Sequence, residues 1–145
     1  MQLTTFTDFS IRTLLFLASC EPKKLIPLKE IEDYFNTPRN HLTKVIQQLV
    51  QKGFVLSTRG PKGGVCLAQD PDTLYLGHVV IEMEPQMDVL DCSKHPCPLD
   101  GGCFVKGVLN EAQESFIQSL DKYSLSDLLK GQHEGRGVPK HALFS

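Results

Sequence analysis

The sequence predicts a mainly α-helical fold with one small β-hairpin and a long helix near its carboxyl end. Three observations lead to this prediction. Apolar residues recur at helical spacing along most of the 145 residues. Two β-prone runs enclose a loop of glycine and proline. A second loop, without any periodicity, holds three of the five cysteines.

Two helices open the chain. Thr7 is expected to cap the first, which has Asp8 in its first turn and continues with a thick apolar face until Pro22. The second begins at Pro27 and stops at Asn36, with apolar residues at spacings of three and four. Both helices therefore present one face to a shared core.

A third helix follows after a short turn. Thr37 is expected to be its N-cap, with Pro38 in the first helical position, and Gly53 ends it. A polar and basic face opposes its apolar stripe and carries Arg39, Asn40, His41, Thr43 and Lys44. Two short helices joined in this way, the second with a basic outer face, are typical of a helix-turn-helix.

A hairpin with a basic tip comes next. Residues 54–59 and 65–68 are β-prone, and the loop between them contains Lys62 and three glycines. Directly after a helix-turn-helix, such a hairpin is the wing of a winged-helix domain. A fourth helix, which starts at Leu76 and is closed by Pro85, completes the expected winged helix-turn-helix domain of residues 1–84.

The rest of the chain divides into three segments. Residues 85–103 form a loop, which is long for a small domain and is therefore expected to be functional. Residues 104–130 hold a long amphipathic helix and then a short terminal helix that starts with a capping box of Ser124 and Asp127. The long helix needs a partner for its apolar face, which predicts a homodimer. Residues 131–145 are expected to form a flexible tail.

The charges are unevenly distributed. The net charge is −2, but residues 1–67 carry nine basic and five acidic residues, and the stretch from Asn36 to Leu67 has no acidic residue. Such a window is typical of a surface that binds phosphates, so double-stranded DNA is the expected partner. The alternative is a solvated helix face followed by an ordinary glycine-rich turn. The candidate DNA-binding residues are Arg39, Asn40, His41, Thr43, Lys44, Arg59, Lys62, Gly63 and Gly64.

The same sequence excludes several classes of protein. With 41% hydrophobic and 22% charged residues, the chain is neither disordered nor a coiled-coil rod. No apolar segment is long enough to span a membrane and no export signal is present, so a cytoplasmic protein is expected. No glycine-rich nucleotide loop, nucleophile elbow or paired acid and base occurs, so we expect no enzyme activity. Five cysteines do not suggest a disulfide framework, and Cys20 and Cys66 are expected to pack in the core.

The remaining three cysteines mark the loop as a candidate metal site. Cys92, Cys97 and Cys103 are separated by four and five residues, spacings wide enough for a loop to wrap an iron-sulfur cluster. A zinc ion held by the three thiolates and His95, or a thiol-rich loop without metal, are the alternatives. The candidates for a fourth cluster ligand are His95, Asp91, Asp100 and the remote Asp8.

Four stretches of the sequence resemble one known family. They are the start MQLTTFTDFSIRTLLFLA, the stretch RNHLTKVIQQLVQKGFVLSTRGPKGGVCLA, the helix GHVVIEMEP and the loop CSKHPCPLDGGC. Together they resemble the iron-sulfur winged-helix regulators, which include IscR-like and NsrR-like repressors, and they are most similar to the NsrR-like, nitric-oxide-sensing members. The similarity extends from Met1 to about Leu129.

The resemblance implies a dimeric repressor that an iron-sulfur cluster controls. The family forms symmetric dimers through the long C-terminal helix, and Cys92, Cys97 and Cys103 match its thiolate ligands. IscR-like members use a histidine three residues after the third cysteine, where this sequence has Lys106. NsrR-like members use an aspartate of the other subunit, which matches Asp8. The implied cofactor is a 4Fe-4S cluster, favoured over 2Fe-2S, with nitric oxide as its signal.

Asp8 also has a potential partner in its own helix. Arg12 lies four residues further on, so the two side chains can pair when Asp8 is not bound elsewhere. Since the first helix is expected to pack beneath the recognition helix, a shift of the first helix should change the spacing of the two DNA readers in a dimer. Arg12 is therefore the candidate coupling residue.

Overall fold

The structure is a computed structural model, and it describes residues 1–131. Its helices and strands are α1 (Thr5–Ser19), α2 (Leu28–Phe35), α3 (Arg39–Gln51), β1 (Val55–Thr58), β2 (Gly64–Leu67), α4 (Leu76–Met83), α5 (Phe104–Leu120) and α6 (Leu125–Gly131). The predicted fold, mainly α-helical with one hairpin, is confirmed. The predicted flexible tail, residues 131–145, lies outside the described residues except for Gly131.

Helix α1 begins one turn earlier than the sequence analysis predicted. Thr4 is its N-cap, and the Thr4 hydroxyl oxygen accepts a hydrogen bond from the backbone N–H of Thr7 at 3.2 Å. Thr7, the predicted N-cap, is instead fully buried inside the first turn. Threonine is a good N-cap at either position, and the burial of Thr7 decides between them. Asp8 stays in the first turn, on its exposed side.

Helices α2 and α3 form the predicted helix-turn-helix. Asn36 ends α2 in the left-handed conformation, with a φ of 49°, which asparagine adopts more readily than most residues. The prediction that Thr37 caps α3 is wrong by one residue, because Pro38 is the N-cap and no described side chain caps this end. Pro38 has an extended ψ of 139°, and its carbonyl accepts the N–H groups of His41 and Leu42. Pro38 therefore precedes the helix rather than opening it.

Strands β1 and β2 form the predicted antiparallel hairpin. Thr58 pairs with Gly64, which leaves residues 59–63 as the tip. A bridge between Ile26 and Val65 joins the hairpin to the segment before α2, through two backbone hydrogen bonds of 2.9 Å. The base of the wing is therefore fixed to the helical body, and its tip projects.

The hydrophobic core lies between α1, the helix-turn-helix and the base of the hairpin. Its fully buried side chains include Leu14 of α1, Leu42 of α3 and Val65 of β2. Apolar residues from several elements, distant in sequence, thus enclose one core, and their burial is the main source of stability in such a domain.

The terminal helix α6 joins this core. Its predicted capping box is confirmed, since the N–H of Ser124 donates to Asp127 Oδ2 at 3.0 Å and the N–H of Asp127 donates to Ser124 Oγ at 3.1 Å. Leu125 is fully buried, and α6 packs on α1. A helix that the sequence analysis grouped with residues 104–130 therefore lies in the same core as residues 1–84.

Helix α5 contacts α4 but stands apart from the core. Within the described chain none of its residues is buried, and Phe104 at its start is 84% exposed. Asp121, just after α5, accepts a hydrogen bond from the backbone N–H of His78 at 3.1 Å, which fixes the end of α5 to the start of α4. None of the described helices or strands lies between residues 84 and 103, as predicted. No described helix has the length and apolar character needed to cross a membrane.

Candidate functional site

One row of polar side chains runs along the outside of α3. Asn40, Lys44, Gln47 and Gln51 follow one another at spacings of three and four residues, and all are exposed. Thr43 lies beside this row and is half-buried. In a helix-turn-helix the second helix enters the major groove. The amide and ammonium groups of this row can therefore reach base edges and phosphates along one groove.

Arg39, another predicted DNA contact, is paired within the protein. Its Nε lies 2.7 Å from Glu32 Oε2, across the turn of the helix-turn-helix. A guanidinium group has five N–H donors, so this ion pair leaves donors for a phosphate. Arg39 therefore joins α2 to α3 and is still exposed at the surface.

His41 faces α1 instead of the outer row. The centroid of its ring is 5.0 Å from that of Phe9 and 6.4 Å from that of Phe6. The polarity of His41 and its place near the start of α3 predict the outer face instead. Its i, i+4 spacing to Val45, which is fully buried, was the available signal for the other orientation.

The tip of the hairpin presents two cations, Arg59 and Lys62, which are both exposed. Gly63 and Gly64 have a role inside the protein. A Cβ atom on Gly63 would overlap the backbone at the end of β1, and one on Gly64 would lie 2.5 Å from the carbonyl oxygen of Ile26. The hairpin itself therefore requires both glycines. Their approach to DNA stays a prediction.

The loop between α4 and α5 carries three unpaired thiols. Cys92 and Cys97 are exposed, and Cys103, the N-cap of α5, is half-buried. Inside the loop, the N–H of Asp100 donates to the carbonyl of Cys97 at 3.0 Å. Cys103 therefore stands where the loop joins α5.

The other two cysteines lie in the folded body, as predicted. Cys66 in β2 is buried, with 7% of its surface exposed. Cys20 is half-buried, and its thiol donates to the carbonyl of Phe16 at 3.3 Å. Burial raises the pKa of the Cys20 thiol, which disfavours the thiolate that binds metals. Both side chains therefore serve packing.

The predicted fourth donors inside the loop differ in how they are held. The Asp91 carboxylate accepts hydrogen bonds from the hydroxyl and the backbone N–H of Ser93 and lies 3.0 Å from the Lys94 ammonium. These contacts lower the pKa of Asp91 to about 2, with the Ser93 hydroxyl as the largest cause and the Lys94 ammonium as the second. Asp91 is thus committed to a local turn. His95 and Asp100 are exposed.

Asp8 lies at the surface and pairs with Arg12. The Nε atom of Arg12 is 3.0 Å from one Asp8 carboxylate oxygen and 3.1 Å from the other. The side chains are 59% exposed for Arg12 and 52% for Asp8. Exposed pairs of this spacing contribute only about 0.3–0.5 kcal/mol to helix stability. Asp8 is therefore weakly held and can exchange this partner for a stronger one.

One contact near Asp8 was missed by the sequence analysis. Glu84, which ends α4, accepts two hydrogen bonds from Thr4, the N-cap of α1. These residues are 80 positions apart, so no local pattern relates them. The contact joins the first turn of α1 to the point where the cysteine loop begins.

The structure does not bring the predicted metal ligands together. Among residues 1–131, no three side chains of histidine, cysteine, aspartate or glutamate are grouped so that they could hold a metal ion. The donor chemistry of the loop does fit a metal group, because three unpaired thiols share one segment and thiolates bind both iron-sulfur clusters and zinc. The ligand set stays a prediction.

These features define a class of protein. A helix-turn-helix with an exposed polar and basic row, followed by a hairpin with a cationic tip, is the architecture of a winged-helix DNA-binding regulator. The chain belongs to the Rrf2 family, since residues 3–131 match the family model described as "Rrf2: Iron-dependent Transcriptional regulator". Members of this family are transcriptional regulators, not enzymes, and they bind DNA and usually act as dimers.

Solved structures of regulators share this fold. IscR of T. potens is 22% identical, with a TM-score of 0.73, and the match covers 99% of this chain and 97% of that one. The global cysteine regulator CymR (YrzC) of B. subtilis is 21% identical, with a TM-score of 0.70 over 88% of this chain and 95% of that one. The oxidized form of Staphylococcus aureus CymR is 23% identical, with a TM-score of 0.68 over 88% and 95%. Likeness at these identities shows the fold alone.

Proposed function

We propose that this protein is a dimeric, NsrR-like cytoplasmic repressor whose operator affinity depends on an iron-sulfur cluster that reacts with nitric oxide. The observation that carries the proposal is the loop of residues 85–103, which contains three unpaired thiols and leads into the unburied helix α5. The description of the family as iron-dependent supports it. The resemblance of the loop CSKHPCPLDGGC to cluster-binding regulators points the same way.

The proposed ligands are Cys92, Cys97, Cys103 and Asp8 of the partner subunit. When bound, the cluster, 4Fe-4S in preference to 2Fe-2S, supplies iron that binds small diatomic molecules. A carboxylate is a harder and weaker partner for iron than a thiolate, so it leaves its iron more accessible. Lys106 occupies the place of the IscR-like histidine, and an ammonium group has no lone pair to offer a metal.

Helix α5 is the proposed dimer surface. Phe104, Val105 and Val108 expose apolar surface along it. A symmetric dimer through α5 would remove this surface from water. It would also supply the second helix-turn-helix that a two-half-site operator needs.

Asp8 is the proposed link between the loop and DNA. When it is released from the cluster of the partner subunit, it can take up the pair with Arg12 that the structure contains. The same turn of α1 carries Phe6 and Phe9, which contact His41 of α3. A change of partner at Asp8 can therefore move the recognition helix. A coupling of about 1–3 kcal/mol changes DNA affinity about 5- to 150-fold.

The test is to purify the full-length protein without oxygen and to measure iron, sulfide and visible absorption. Binding to a duplex that the protein selects from a random-sequence library is then measured by fluorescence anisotropy, before and after addition of nitric oxide. We expect a brown protein that binds tightly and loses affinity with nitric oxide. A colourless protein whose affinity for the duplex does not change with nitric oxide contradicts the proposal.

A second candidate is a winged-helix regulator with a structural zinc or a thiol redox switch in the same loop. His95 is exposed between Cys92 and Cys97, so the loop offers a nitrogen donor as well as three sulfurs. Staphylococcus aureus CymR, which shares this fold, has been solved in an oxidized form. Zinc analysis, together with DNA binding before and after treatment with a hydroperoxide and then a dithiol, separates this candidate from the first.

A further inference from the structure

We infer that His41 is a positioning residue, which sets the orientation of the recognition helix α3 against α1, and that it does not read DNA bases. The inference concerns DNA binding itself. It therefore holds whichever group the cysteine loop carries.

The contacts of the imidazole ring carry the first step. Its centroid lies 5.0 Å from that of Phe9, with the planes tilted by 49°, and 6.4 Å from that of Phe6, edge to face. The Phe9 ring in turn lies 5.5 Å from that of Phe35 at the end of α2. Aromatic rings at such distances prefer offset-stacked or edge-to-face arrangements, so these contacts restrict how the two helices are oriented. One ring of α1 thus contacts both helices of the helix-turn-helix, and His41 is the contact on the α3 side.

The surface of α3 supplies the second step. His41, Val45 and Leu49 follow at i, i+4 spacing, and Val45 and Leu49 are fully buried. His41, which is half-buried, therefore continues this stripe by one turn, although its side chain is polar. The side chains that can enter a groove lie on the row from Asn40 to Gln51 instead.

The first turn of α1 is held on two sides. Glu84 holds Thr4 from the end of α4, and His41 lies against Phe6 and Phe9. A displacement of this turn is therefore transmitted to α3 through the imidazole. That Asp8 starts such a displacement rests on the proposed function, whereas the packing role of His41 does not.

The experiment is a double-mutant cycle on the full-length protein purified without oxygen, with the library-selected duplex as probe. His41→Ala, Phe6→Leu and the double variant are compared with wild type by fluorescence anisotropy, and thermal melting confirms that each is folded. Each single variant should weaken binding about 3- to 10-fold, the size of one lost aromatic contact. The double variant should be little weaker than His41→Ala alone, because both changes remove the same contact.

Two further variants make the test decisive. His41→Phe keeps a ring but cannot form hydrogen bonds with a base, so it should restore most of the affinity lost in His41→Ala and leave base preference unchanged. The losses of affinity in His41→Ala and Arg59→Ala should be additive in the double variant, since His41 packs against α1 and Arg59 is exposed on the wing tip. The inference is overturned if His41→Phe binds the duplex as weakly as His41→Ala and also tolerates base changes in the duplex. It is overturned as well if the losses of affinity in His41→Ala and Phe6→Leu are additive.

Discussion

The Glu84 carboxylate accepts two hydrogen bonds from Thr4, one from its backbone N–H at 3.0 Å and one from its hydroxyl at 3.2 Å. Thr4 is the N-cap of α1, and Glu84 is the residue at which α4 ends. A negative charge at a helix N-terminus is favourable, so this contact both caps α1 and joins it to α4. It is also the point from which the chain enters the cysteine loop.

Removing this carboxylate should loosen the start of α1. Glu84→Ala removes the carboxylate that accepts from the N–H and the hydroxyl of Thr4, and hydrogen bonds to a charged group contribute about 1.5–3 kcal/mol. We expect a loss of stability of that order in urea denaturation. Glu82→Ala is the matched control. Glu82 lies two residues before Glu84 and pairs with Lys52 at the surface, so its removal should cost less stability. Equal losses from both variants contradict a special role for Glu84.

DNA binding should depend on the wing tip. Arg59 is exposed on the tip of the hairpin, where it can enter the minor groove or contact a phosphate. Arg59→Ala should weaken binding by about 1–3 kcal/mol and reduce its salt dependence. Lys130→Ala in α6, outside the basic stretch, should change little. If anisotropy titrations show equal effects, the DNA surface has been placed wrongly.

The stability of the terminal helix should depend on pH. Hydrogen bonds from the backbone N–H and then the hydroxyl of Ser124 lower the pKa of Asp127. A carboxyl whose pKa is lower in the folded state stabilises the fold above its unfolded pKa, and this stabilisation is lost as pH falls through the folded pKa. Asp127→Asn should therefore be less stable than wild type near pH 7, and the difference should shrink as the pH falls through the acid range. Ser124→Ala should lose about 0.5–2 kcal/mol near neutral pH.

Thermal melts of both variants across this pH range make the comparison. A difference between wild type and Asp127→Asn that is constant with pH would show that the ionised carboxylate is not what stabilises α6.

Local spacing predicted most of the fold, for physical reasons that particular residues show. The capping box of Ser124 and Asp127 and the left-handed end of α2 at Asn36 depend only on neighbours within a turn, so the sequence reveals them directly. The contact between Thr4 and Glu84 joins segments that meet only in the folded chain. No periodicity can reveal such a contact, although it involves the residue that caps α1.

The geometry of the candidate DNA surface could be predicted in part. The exposed row with Asn40 and Lys44 follows from helical spacing, and so does the orientation of His41 once its spacing to Val45 is considered. Polarity alone predicts an outward orientation for His41, and the contact of each candidate residue with DNA stays a prediction. The role of Gly64 was not predictable, since the atom it approaches belongs to Ile26, a distant part of the chain.

The cysteines should separate into two groups. Replacement of Cys92, Cys97 or Cys103 by alanine should abolish both visible absorption and specific operator binding, because these thiols share one exposed loop. Cys20→Ala and Cys66→Ala are matched controls in the folded body and should keep the spectrum. A Cys66→Ala variant that is folded by circular dichroism but colourless would overturn the ligand assignment.

Substitutions at Asp8 test the proposed link between the cluster and DNA binding most directly. In Asp8→Ala the three thiols remain, so we expect a coloured and folded dimer. Its operator affinity should fall towards that of the cluster-free protein, because the link from the loop to α1 of the other subunit is missing. Arg12→Ala removes the pair within α1 but leaves the Asp8 carboxylate free to bind, so it should keep the operator affinity of the cluster-bound protein. Asp8→Cys supplies a softer and tighter ligand, and it should slow the reaction with nitric oxide if it reaches the iron.

Mixed dimers test whether Asp8 acts across the interface. When one subunit carries Asp8→Ala and the other carries Cys92→Ala, a cluster can form only in the subunit with intact cysteines, which is the one that lacks its own Asp8. A ligand from the partner subunit predicts that this cluster still has a carboxylate, and that its spectrum and nitric oxide kinetics are those of wild type. A ligand from the same chain predicts the behaviour of the Asp8→Ala homodimer. That second result would refute the ligation across the interface. It would also remove the proposed route from the cysteine loop through α1 to the recognition helix of the other subunit.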